Sequence, residues 1–240
     1  MSIESNEQVN ISKKKIIISV PGDKFSNNFL ISWTRCLYAL WDSAKYEVMI
    51  APGTSSFVSF ARMKTLGLDV LRGKDQKAFN GVDYFAWITI DSDVIFTPDN
   101  IFELLAALEL KPVVAGYYSM SDAKSFAVVK DWDTDYFAKN GTFKFLQKED
   151  IDQWQNETQQ LFMPVSYSGL GFFGVRKEVL DSLKYPFFDA PLQKIQGVDN
   201  VELVDLCSED VALCKNIQAA GFTINLHTGL RVGHEKPIVL

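Results

Sequence analysis

Three short apolar runs alternate with helical patterns in the first 110 residues of the chain. KIIISV (15–20), YEVMIA (46–51) and FAWITI (85–90) have the length of strands, and the segments between them include apolar residues at helical spacing. Strands that alternate with helices tend to pair in parallel and to be covered by helices on both faces. The pattern therefore predicts a Rossmann-like α/β fold with a mostly parallel central sheet flanked by helices, and ligands beyond the carboxyl ends of the strands.

One domain is expected from the length and composition. The chain has 240 residues, of which 47% are hydrophobic, enough for a single large core. Residues 1–14 form a polar tail in this interpretation, and the domain extends over 15–240 with a small antiparallel part near its C-terminus.

Charge and cysteine content argue against several classes of protein. A formal net charge of −6 and a pI near 5.0 argue against a nucleic acid as partner. Three cysteines without a CxxC pair indicate reduced, buried thiols rather than a disulfide framework. The N-terminus lacks an apolar signal segment, and no run reaches the roughly 18 apolar residues of a membrane span. A cytoplasmic protein with no transmembrane segment is therefore expected.

Local signals predict the remaining elements. Thr97 is a good N-cap, Pro98 suits the first helical position and Asp99 favours the helix dipole, so a helix should span 98–110. The other expectations are a short strand at 68–71, an antiparallel pair formed by 112–119 and 125–131, irregular chain over 132–160 and a loop from 185 to 207.

The strongest strand pattern leads directly into two aspartates. In FAWITIDSDVIF (85–96), Asp91 and Asp93 interrupt an apolar run, and burying either carboxylate unpaired would cost several kcal/mol. At the exit of a strand both can face one volume open to solvent, and oxygen-rich sites of this kind suit Mg²⁺ or Mn²⁺. A cation site is the interpretation we favour.

Two alternatives apply to the same aspartates. They can be solvated turn residues that make Asx-type hydrogen bonds. They also match the Asp-x-Asp-x-Val pattern of haloacid-dehalogenase-like phosphatases, in which Asp91 would be phosphorylated and Asp93 would act as acid and base. In that class the pair normally ends the first strand of the core, whereas here at least two strand-helix units precede it.

Four segments, in order, resemble motifs of GT-A glycosyltransferases of the family 2-like, DxD-containing type. They are DYFAWITIDSDVIFTPDNIFELL (83–105) for the DxD strand and helix, SGLGFFGVRKEVL (168–180) for the Gly-rich segment, SEDVALCKNIQAAGF (208–222) for the xED helix and RVGHEK (231–236) for the terminal segment that carries a metal-binding histidine. Each motif alone is weak, and their order makes the resemblance fairly specific.

The resemblance covers most of the chain and implies both fold and activity. It implies a GT-A fold with a nucleotide-binding half over 15–110 and an acceptor- and sugar-binding half over 111–240. It also implies that a sugar passes from a nucleotide diphosphate sugar, with UDP or GDP favoured, to a glycan or other hydroxyl acceptor.

The same resemblance implies roles for residues at the donor site. Asp93 would ligate Mn²⁺ or Mg²⁺ directly, Asp91 would contact the cation or the donor ribose, Ser92 would lie between them at the donor, and His234 would add an imidazole ligand. Two carboxylates and one imidazole suit Mn²⁺ somewhat better than Mg²⁺. A surface turn histidine is the alternative for His234, and His227, inside a predicted strand, is assigned to structure.

Glu209 and Asp210 are the candidate catalytic residues. In inverting members of the family the aspartate of this motif is the general base that deprotonates the acceptor hydroxyl, so the resemblance assigns that role to Asp210, with Glu209 beside it. The alternative is structural, because Ser208 can cap a helix whose dipole favours acidic residues in its first turn.

Further residues are candidates for binding the donor. Pro21 lies where related enzymes hold the nucleotide base, and Arg62 lies in SFARMKTL (59–66), which resembles the helix whose arginine approaches the nucleotide; an ordinary surface arginine is the alternative. Asp69 is a candidate contact to uracil or ribose. Gly169 and Gly171 permit close approach of the backbone to a ligand, or simply a tight strand.

Aromatic residues and overall function keep alternatives open. Trp132, Trp154, Tyr117 and Tyr167 are of the kind that stack on sugar faces, and core packing is the other interpretation. Besides the transferase and the phosphatase, a catalytically silent module of the same fold that binds glycans or nucleotides is a third hypothesis.

Overall fold

The computed structural model describes residues 12–197 and 200–236. The elements of the first half are β1 (Lys14–Pro21), α1 (Asn27–Asp42), β2 (Tyr46–Gly53), α2 (Val58–Thr65), β3 (Ala86–Ile90), β4 (Val94–Ile95) and α3 (Pro98–Leu110). Those of the second half are β5 (Val113–Tyr117), β6 (Val128–Val129), α4 (Thr134–Asn140), α5 (Lys148–Thr158), β7 (Phe162–Val165), β8 (Tyr167–Ser168), β9 (Phe172–Arg176), α6 (Lys177–Ser182), β10 (Gln193–Gln196), β11 (Glu202–Asp205), α7 (Glu209–Ala219), β12 (Ile224–Arg231) and β13 (Gly233–His234). Most of the expected polar tail lies outside the described residues.

A seven-stranded sheet forms the centre, in the spatial order β2-β1-β3-β9-β5-β12-β7. Strands β2, β1 and β3 pair in parallel, and β12 pairs in parallel with β5. Strand β9 is antiparallel to both β3 and β5, and β7 is antiparallel to β12 at the edge. The expected mostly parallel sheet is confirmed. Pro164 is tolerated in β7 because an edge strand needs fewer backbone donors.

Helices cover both faces of this sheet because successive strand residues point to opposite sides. Ile16 and Ile18 of β1 belong to an apolar cluster shared with α1 and α3, whereas Ile17 belongs to a second cluster shared with α6 and α7. All five residues of β3 are buried, as expected for a central strand covered on both sides. The polar side chains of such a strand can therefore reach solvent only near its ends.

The polar groups in the core are largely paired. Ser19 is fully buried; its hydroxyl donates to the Thr65 carbonyl at 3.1 Å and accepts from Trp87 Nε1 at 2.7 Å.

Cys36 and Cys214 are free and buried, as is Cys207, and burial raises the pKa of Cys36 and of Cys214 to about 12. The expectation of buried thiols is confirmed.

Two predictions made from local sequence signals are wrong, one in the first half of the chain and one just after it. The segment 68–71 is not a strand: Asp69 caps a 3-10 turn, Val70–Arg72, by accepting from the backbone N–H of Leu71 at 2.8 Å. The side-chain hydrogen bond offers the backbone a local alternative to a sheet. Segments 112–119 and 125–131 form only an isolated bridge, and β6 pairs instead with β8.

The expectation of irregular chain over 132–160 is also wrong, because this region contains α4 and α5. Helix α5 buries only Ile151, so it has almost no apolar periodicity to signal it. Asp133 caps α4 by accepting from the N–H of Tyr136 at 2.8 Å. The loop expected from 185 to 207 contains the hairpin of β10 and β11.

Helix α3 has the predicted bounds, and its cap is fully formed. Thr97 Oγ1 accepts from the Asn100 N–H at 3.3 Å, and the Thr97 N–H donates to Asn100 Oδ1 at 2.9 Å.

Among the described residues, no helix combines the length and the apolar character needed to cross a membrane.

We expect Thr97→Ala to lower the free energy of unfolding by about 1 kcal/mol, because one helix N–H loses its acceptor. Thr97→Ser keeps an oxygen at the same position and should retain most of the stability. Urea denaturation measures both. Equal losses in the two variants would contradict a role for the cap.

Candidate functional site

Asp91, Ser92 and Asp93 form the turn between β3 and β4. The N–H of Asp91 donates to the carbonyl of Gly171 at 3.0 Å, and the N–H of Val94 donates to the carbonyl of Asp91 at 3.0 Å. The turn follows the carboxyl end of a central strand, which is where open α/β sheets bind their ligands. The two carboxylates of this turn have different partners.

Arg62, on α2, binds Asp91 and Glu209 together. Its Nη1 and Nη2 donate to the two oxygens of Asp91 at 3.0 and 3.1 Å, and its Nε donates to Glu209 Oε1 at 3.1 Å. The Arg62 side chain is only 5% exposed. The planar fork of a guanidinium allows this pairing with two carboxylates. The alternative of an ordinary surface arginine is wrong.

The charge of Arg62 is secured by its partners. Burial alone would lower the pKa of Arg62, but Asp91 and then Glu209 raise it above its ordinary value, so the guanidinium stays charged. Thr89 Oγ1 accepts a weaker bond from Nη1 at 3.4 Å. Through this one side chain, the turn after β3 is fixed to the first residue of α7.

His234 meets Asp93 because β13 pairs antiparallel with β4. The Nε2 of His234 is 3.2 Å from Asp93 Oδ2, and Nδ1 is 2.7 Å from the Ser119 carbonyl. A carbonyl accepts only from N–H, so Nδ1 is the donor, and in the neutral ring Nε2 carries the lone pair that faces Asp93. The same ring orientation serves either a cation bound at Nε2 or, in the protonated ring, a hydrogen bond from Nε2 to Asp93.

Asp93 also has a cationic side chain as neighbour. Lys236 Nζ is 2.6 Å from Asp93 Oδ2, the oxygen that faces His234. In contrast to the expectation for the metal site, Asp91 does not join Asp93 and His234, because both of its oxygens accept from Arg62. Over 12–197 and 200–236, no three His, Cys, Asp or Glu side chains are grouped to hold a metal ion.

Asp93 and His234 nevertheless fit a cation that is shared with a ligand. Mg²⁺ and Mn²⁺ are often bound by one or two protein groups, with phosphate oxygens and water completing the coordination. A carboxylate oxygen and an oriented imidazole nitrogen supply two such groups. The arrangement suits a metal–diphosphate complex better than a closed metal cage.

A cavity of about 410 Å³ opens beside Asp93. We call it the turn cavity; it is lined by Lys24, Phe25, Ser26, Ser92, Asp93, Glu235 and Lys236. Its two lysines offset its two carboxylates, so the lining has no net formal charge. Gly22 lies at its edge, where an added Cβ would be 3.1 Å from Ser92 Oγ.

Asp210 is held by three donors at the start of α7. Tyr167 Oη donates to Oδ2 at 2.7 Å, the N–H of Val211 donates to Oδ1 at 2.9 Å, and the Ser208 hydroxyl also donates to Oδ1. Burial and then Asp210 raise the pKa of Tyr167, so the phenol keeps its proton and remains a donor. A carboxylate accepts about four hydrogen bonds, so three donors leave Asp210 with one further acceptor position.

Tyr118 fills the space between these groups and accounts for the two glycines. Its ring packs edge-on against His234 at 4.7 Å, and its hydroxyl accepts from the N–H of Gly171 at 3.1 Å. A Cβ at Gly169 would lie 2.3 Å from the Tyr118 hydroxyl, and one at Gly171 would lie 2.8 Å from its ring. The close approach at both glycines is therefore to Tyr118.

Two predicted donor residues lie at element ends. Pro21 is buried and is the last residue of β1, paired with Gly53 of β2. Asp69 is exposed, and its hydrogen bonds go to Leu71, Arg72 and Gln76 rather than to Arg62 or Asp91.

Sequence reasoning missed four residues of this site: Lys24, Tyr118, Ser119 and Lys236. Lys236 and Lys24 had a signal, because they lie within three residues of His234 and Pro21. Tyr118 and Ser119 lie at the end of a predicted strand, and only the fold brings them to His234.

The phosphatase alternative requires Asp91 to attack a phosphate. Both oxygens of Asp91 accept from a buried guanidinium, and the carboxylate is 29% exposed. This pairing occupies the nucleophile, so the geometry does not favour that alternative.

We expect Gly169→Ala to lower the free energy of unfolding by about 1–3 kcal/mol, because the added methyl group overlaps the Tyr118 hydroxyl. Tyr118→Phe removes that oxygen, so the double variant should lose less than the sum of the single losses. Gly229→Ala is the matched control, since its nearest neighbouring atom would be 3.5 Å away. Similar losses at the two glycines would refute the close packing.

Replacing Arg62 by Met should cost about 3–5 kcal/mol of stability, because it leaves two carboxylates unpaired in a largely buried position. Arg62→Lys keeps the charge without the fork and should cost less. Arg35→Met, on the exposed surface of α1, is the control and should change stability by less than about 0.5 kcal/mol. Chemical denaturation of the three variants provides the measurement; a loss for Arg62→Met no larger than the control's would show that the pairing is not maintained.

Solved structures that are similar to the chain include the following two. A crystal structure of A197 from STIV is 16% identical with a TM-score of 0.50, and the match covers 93% of this chain and 86% of that one. A crystal structure of GalNAc-T7 with UDP, GalNAc and Mn²⁺ is 10% identical with a TM-score of 0.54, and the match covers 94% of this chain and 43% of that one. No family model and no curated protein matches the chain. At these identities the likeness concerns the fold alone: the protein has a mixed α/β, GT-A-like fold and spans less than half of the GalNAc-T7 chain.

Proposed function

We propose that the protein is a metal-dependent glycosyltransferase that moves a sugar from a nucleotide diphosphate sugar to a hydroxyl acceptor with inversion. The observation that carries the proposal is the pairing of Asp93 with an oriented His234 at the edge of the turn cavity. Arg62 ties the turn that carries Asp93 to the start of α7, because it binds both Asp91 and Glu209. The GT-A-like fold supports the same activity.

The donor diphosphate would bind in the turn cavity. Its lining has no net formal charge, so it offers little attraction to a polyanion by itself. A divalent cation held by Asp93 and His234 would supply the missing positive charge and stabilise the departing diphosphate. Lys24 and Lys236 would then bind diphosphate oxygens. Lys236 would give up its contact with Asp93 to do so. We assign Ser92 and Pro21 to the donor as well, with UDP or GDP as the favoured nucleotide.

Asp210 would act as the general base for the acceptor. Three donors fix its orientation and leave one acceptor position for the incoming hydroxyl. The acceptor oxygen would attack the anomeric carbon as its proton passes to Asp210, and the diphosphate would leave on the opposite face, which inverts the configuration. Glu209 would not move a proton in this scheme, because it accepts from Arg62 and holds α7 in place.

Arg62 would serve the donor indirectly. Its three donor nitrogens already face Asp91 and Glu209, so we assign it to positioning rather than to the nucleotide. Asp91 would be fixed beside the donor by the same bonds. Gly169 and Gly171 would act through the space they leave for Tyr118, and Asp69 is retained only as a candidate contact to the base or ribose.

Nucleotide binding tests the donor site. Thermal-shift titration with UDP, GDP, CDP and dTDP, each with Mn²⁺ and with EDTA, should reveal one nucleotide that stabilises the protein only with the metal; at 100 times Kd the gain is about 2.7 kcal/mol. Asp93→Asn and His234→Gln should each weaken that binding at least tenfold. Asp42→Asn, at the exposed end of α1, is the control. Equal stabilisation with EDTA would contradict the proposed metal.

Turnover tests the chemistry. With the sugar nucleotide that binds, Asp210→Asn should lower kcat by about 10²- to 10⁴-fold while nucleotide affinity is unchanged. NMR of the product gives its anomeric configuration, and retention would overturn the inverting mechanism. Metal-dependent binding without any turnover would favour the silent binding module, and hydrolysis of a generic phosphate ester abolished by Asp91→Asn would favour the phosphatase.

A further inference from the structure

A second cavity of about 410 Å³ lies between α4 and the hairpin of β10 and β11. We call it the aromatic pocket; it is lined by Trp132, Asp133, Thr134, Phe137, Phe143, Leu192, Gln193, Lys194, Ile195 and Lys215. The donor site described above uses none of these residues. Apart from Lys215 on α7, the lining belongs to parts of the chain that the sequence patterns describe only as irregular or as a loop.

The aromatic pocket adjoins Asp210 through one side chain. The Trp132 ring lies 6.2 Å from the ring of Tyr167, and the hydroxyl of Tyr167 donates to Asp210 at 2.7 Å. Lys215 lies on the same helix as Asp210, and its Nζ is 5.4 Å from the centre of the Trp132 ring. A ligand in the aromatic pocket would therefore contact Trp132, whose ring packs against the side chain that orients the proposed base.

The hairpin that closes the aromatic pocket is attached to α7. Gln193 Nε2 donates to the sulfur of Cys207 at 3.1 Å, and Lys215 Nζ lies 3.8 Å from that sulfur. Cys207 immediately precedes the capping position of α7. These contacts hold one wall of the aromatic pocket to the start of α7.

The chemistry of the lining is amphipathic. Trp132 and Phe143 form an edge-to-face pair at 5.1 Å, and Phe137 packs against Phe143 at 5.2 Å. Trp132 and Phe143 are half-buried, so part of each ring borders the aromatic pocket. The polar side chains are Asp133, Thr134, Gln193, Lys194 and Lys215. A pyranose has the matching character, with apolar C–H groups on its ring faces and hydroxyl groups around its edge.

We infer that the aromatic pocket binds a saccharide, with a C–H face of the sugar against Trp132 and Phe143, and that this saccharide is the acceptor. The acceptor role rests on the proposed function, because it needs Asp210 as the base. Saccharide binding itself depends only on the lining of the aromatic pocket. The inference narrows the hydroxyl acceptor to a carbohydrate.

Saccharide binding is tested without nucleotide or metal. The probes are the methyl α- and β-glycosides of glucose, galactose, mannose and N-acetylglucosamine at millimolar concentration, observed by saturation-transfer NMR. At least one should bind saturably, with the strongest transfer to protons of one ring face. Trp132→Ala should weaken that binding at least tenfold. No saturable binding by any of the probes would overturn the inference.

Variants separate binding from folding. Trp132 is half-buried, so circular dichroism must show a native spectrum for Trp132→Ala. Leu192→Asp is a second variant, since Leu192 is 57% exposed where it lines the aromatic pocket and its replacement leaves the core intact. It should weaken glycoside binding at least threefold. Trp41→Phe is the matched control, because Trp41 is 59% exposed on α1 and does not line the aromatic pocket. Unchanged affinity in both pocket variants would overturn the inference.

The acceptor role is tested by its kinetic signature. Trp132→Ala should raise the KM for the glycoside acceptor at least tenfold, whereas metal-dependent nucleotide binding should not change. A wild-type protein that binds the glycoside but neither binds nor hydrolyses any sugar nucleotide would overturn the proposed function and the acceptor role, and would leave a carbohydrate-binding site. Donor hydrolysis with no glycoside binding would overturn the inference alone.

Discussion

The buried guanidinium of Arg62 is the interaction on which the site depends. It is paired with a carboxylate from the turn after β3 and with one from the start of α7, two segments that come from opposite halves of the chain. Removing charges from water is costly, and a buried pair repays that cost only with good geometry. Two bonds to Asp91 and one to Glu209 supply such geometry. The network ties the turn after β3 to the first residue of α7.

Much of the fold was predictable because the strongest sequence signals coincide with the core. β1, β2 and β3 are apolar runs of strand length, and α3 carries a complete set of start signals, so these elements have nearly the predicted bounds. Helices α4 and α5 were missed because they lie at the surface with few buried residues, and the 3-10 turn after Asp69 was missed because a single side-chain hydrogen bond decides it. Pattern reasoning detects burial, and it fails where local polar contacts determine the structure.

The site was predictable in its residue types and less so in its pairings. Asp91 and Asp93 are two positions apart, and adjacency in sequence suggested one shared cation. In the folded chain Asp91 faces a guanidinium, whereas Asp93 faces His234 and Lys236. Side chains on either side of a turn residue leave the backbone in different directions, so a one-residue gap does not imply a common ligand. The partners of each carboxylate come from α2 and from the C-terminal segment, and no local pattern connects those segments.

Helix α7 connects the separate parts of the site. Within seven residues it carries Glu209, which accepts from Arg62, Asp210, which accepts from Tyr167, and Lys215, which lies over Trp132. The contact of Glu209 ties α7 to the turn after β3 through Arg62. The contact of Asp210 holds the proposed base, and that of Lys215 reaches the aromatic pocket. A rigid helix transmits small displacements along its length, since its own backbone bonds resist bending. Under the proposed function, a shift of α7 would therefore move the base relative to both of its substrates. The bond from Arg62 to Glu209 anchors the end of the helix that carries this base.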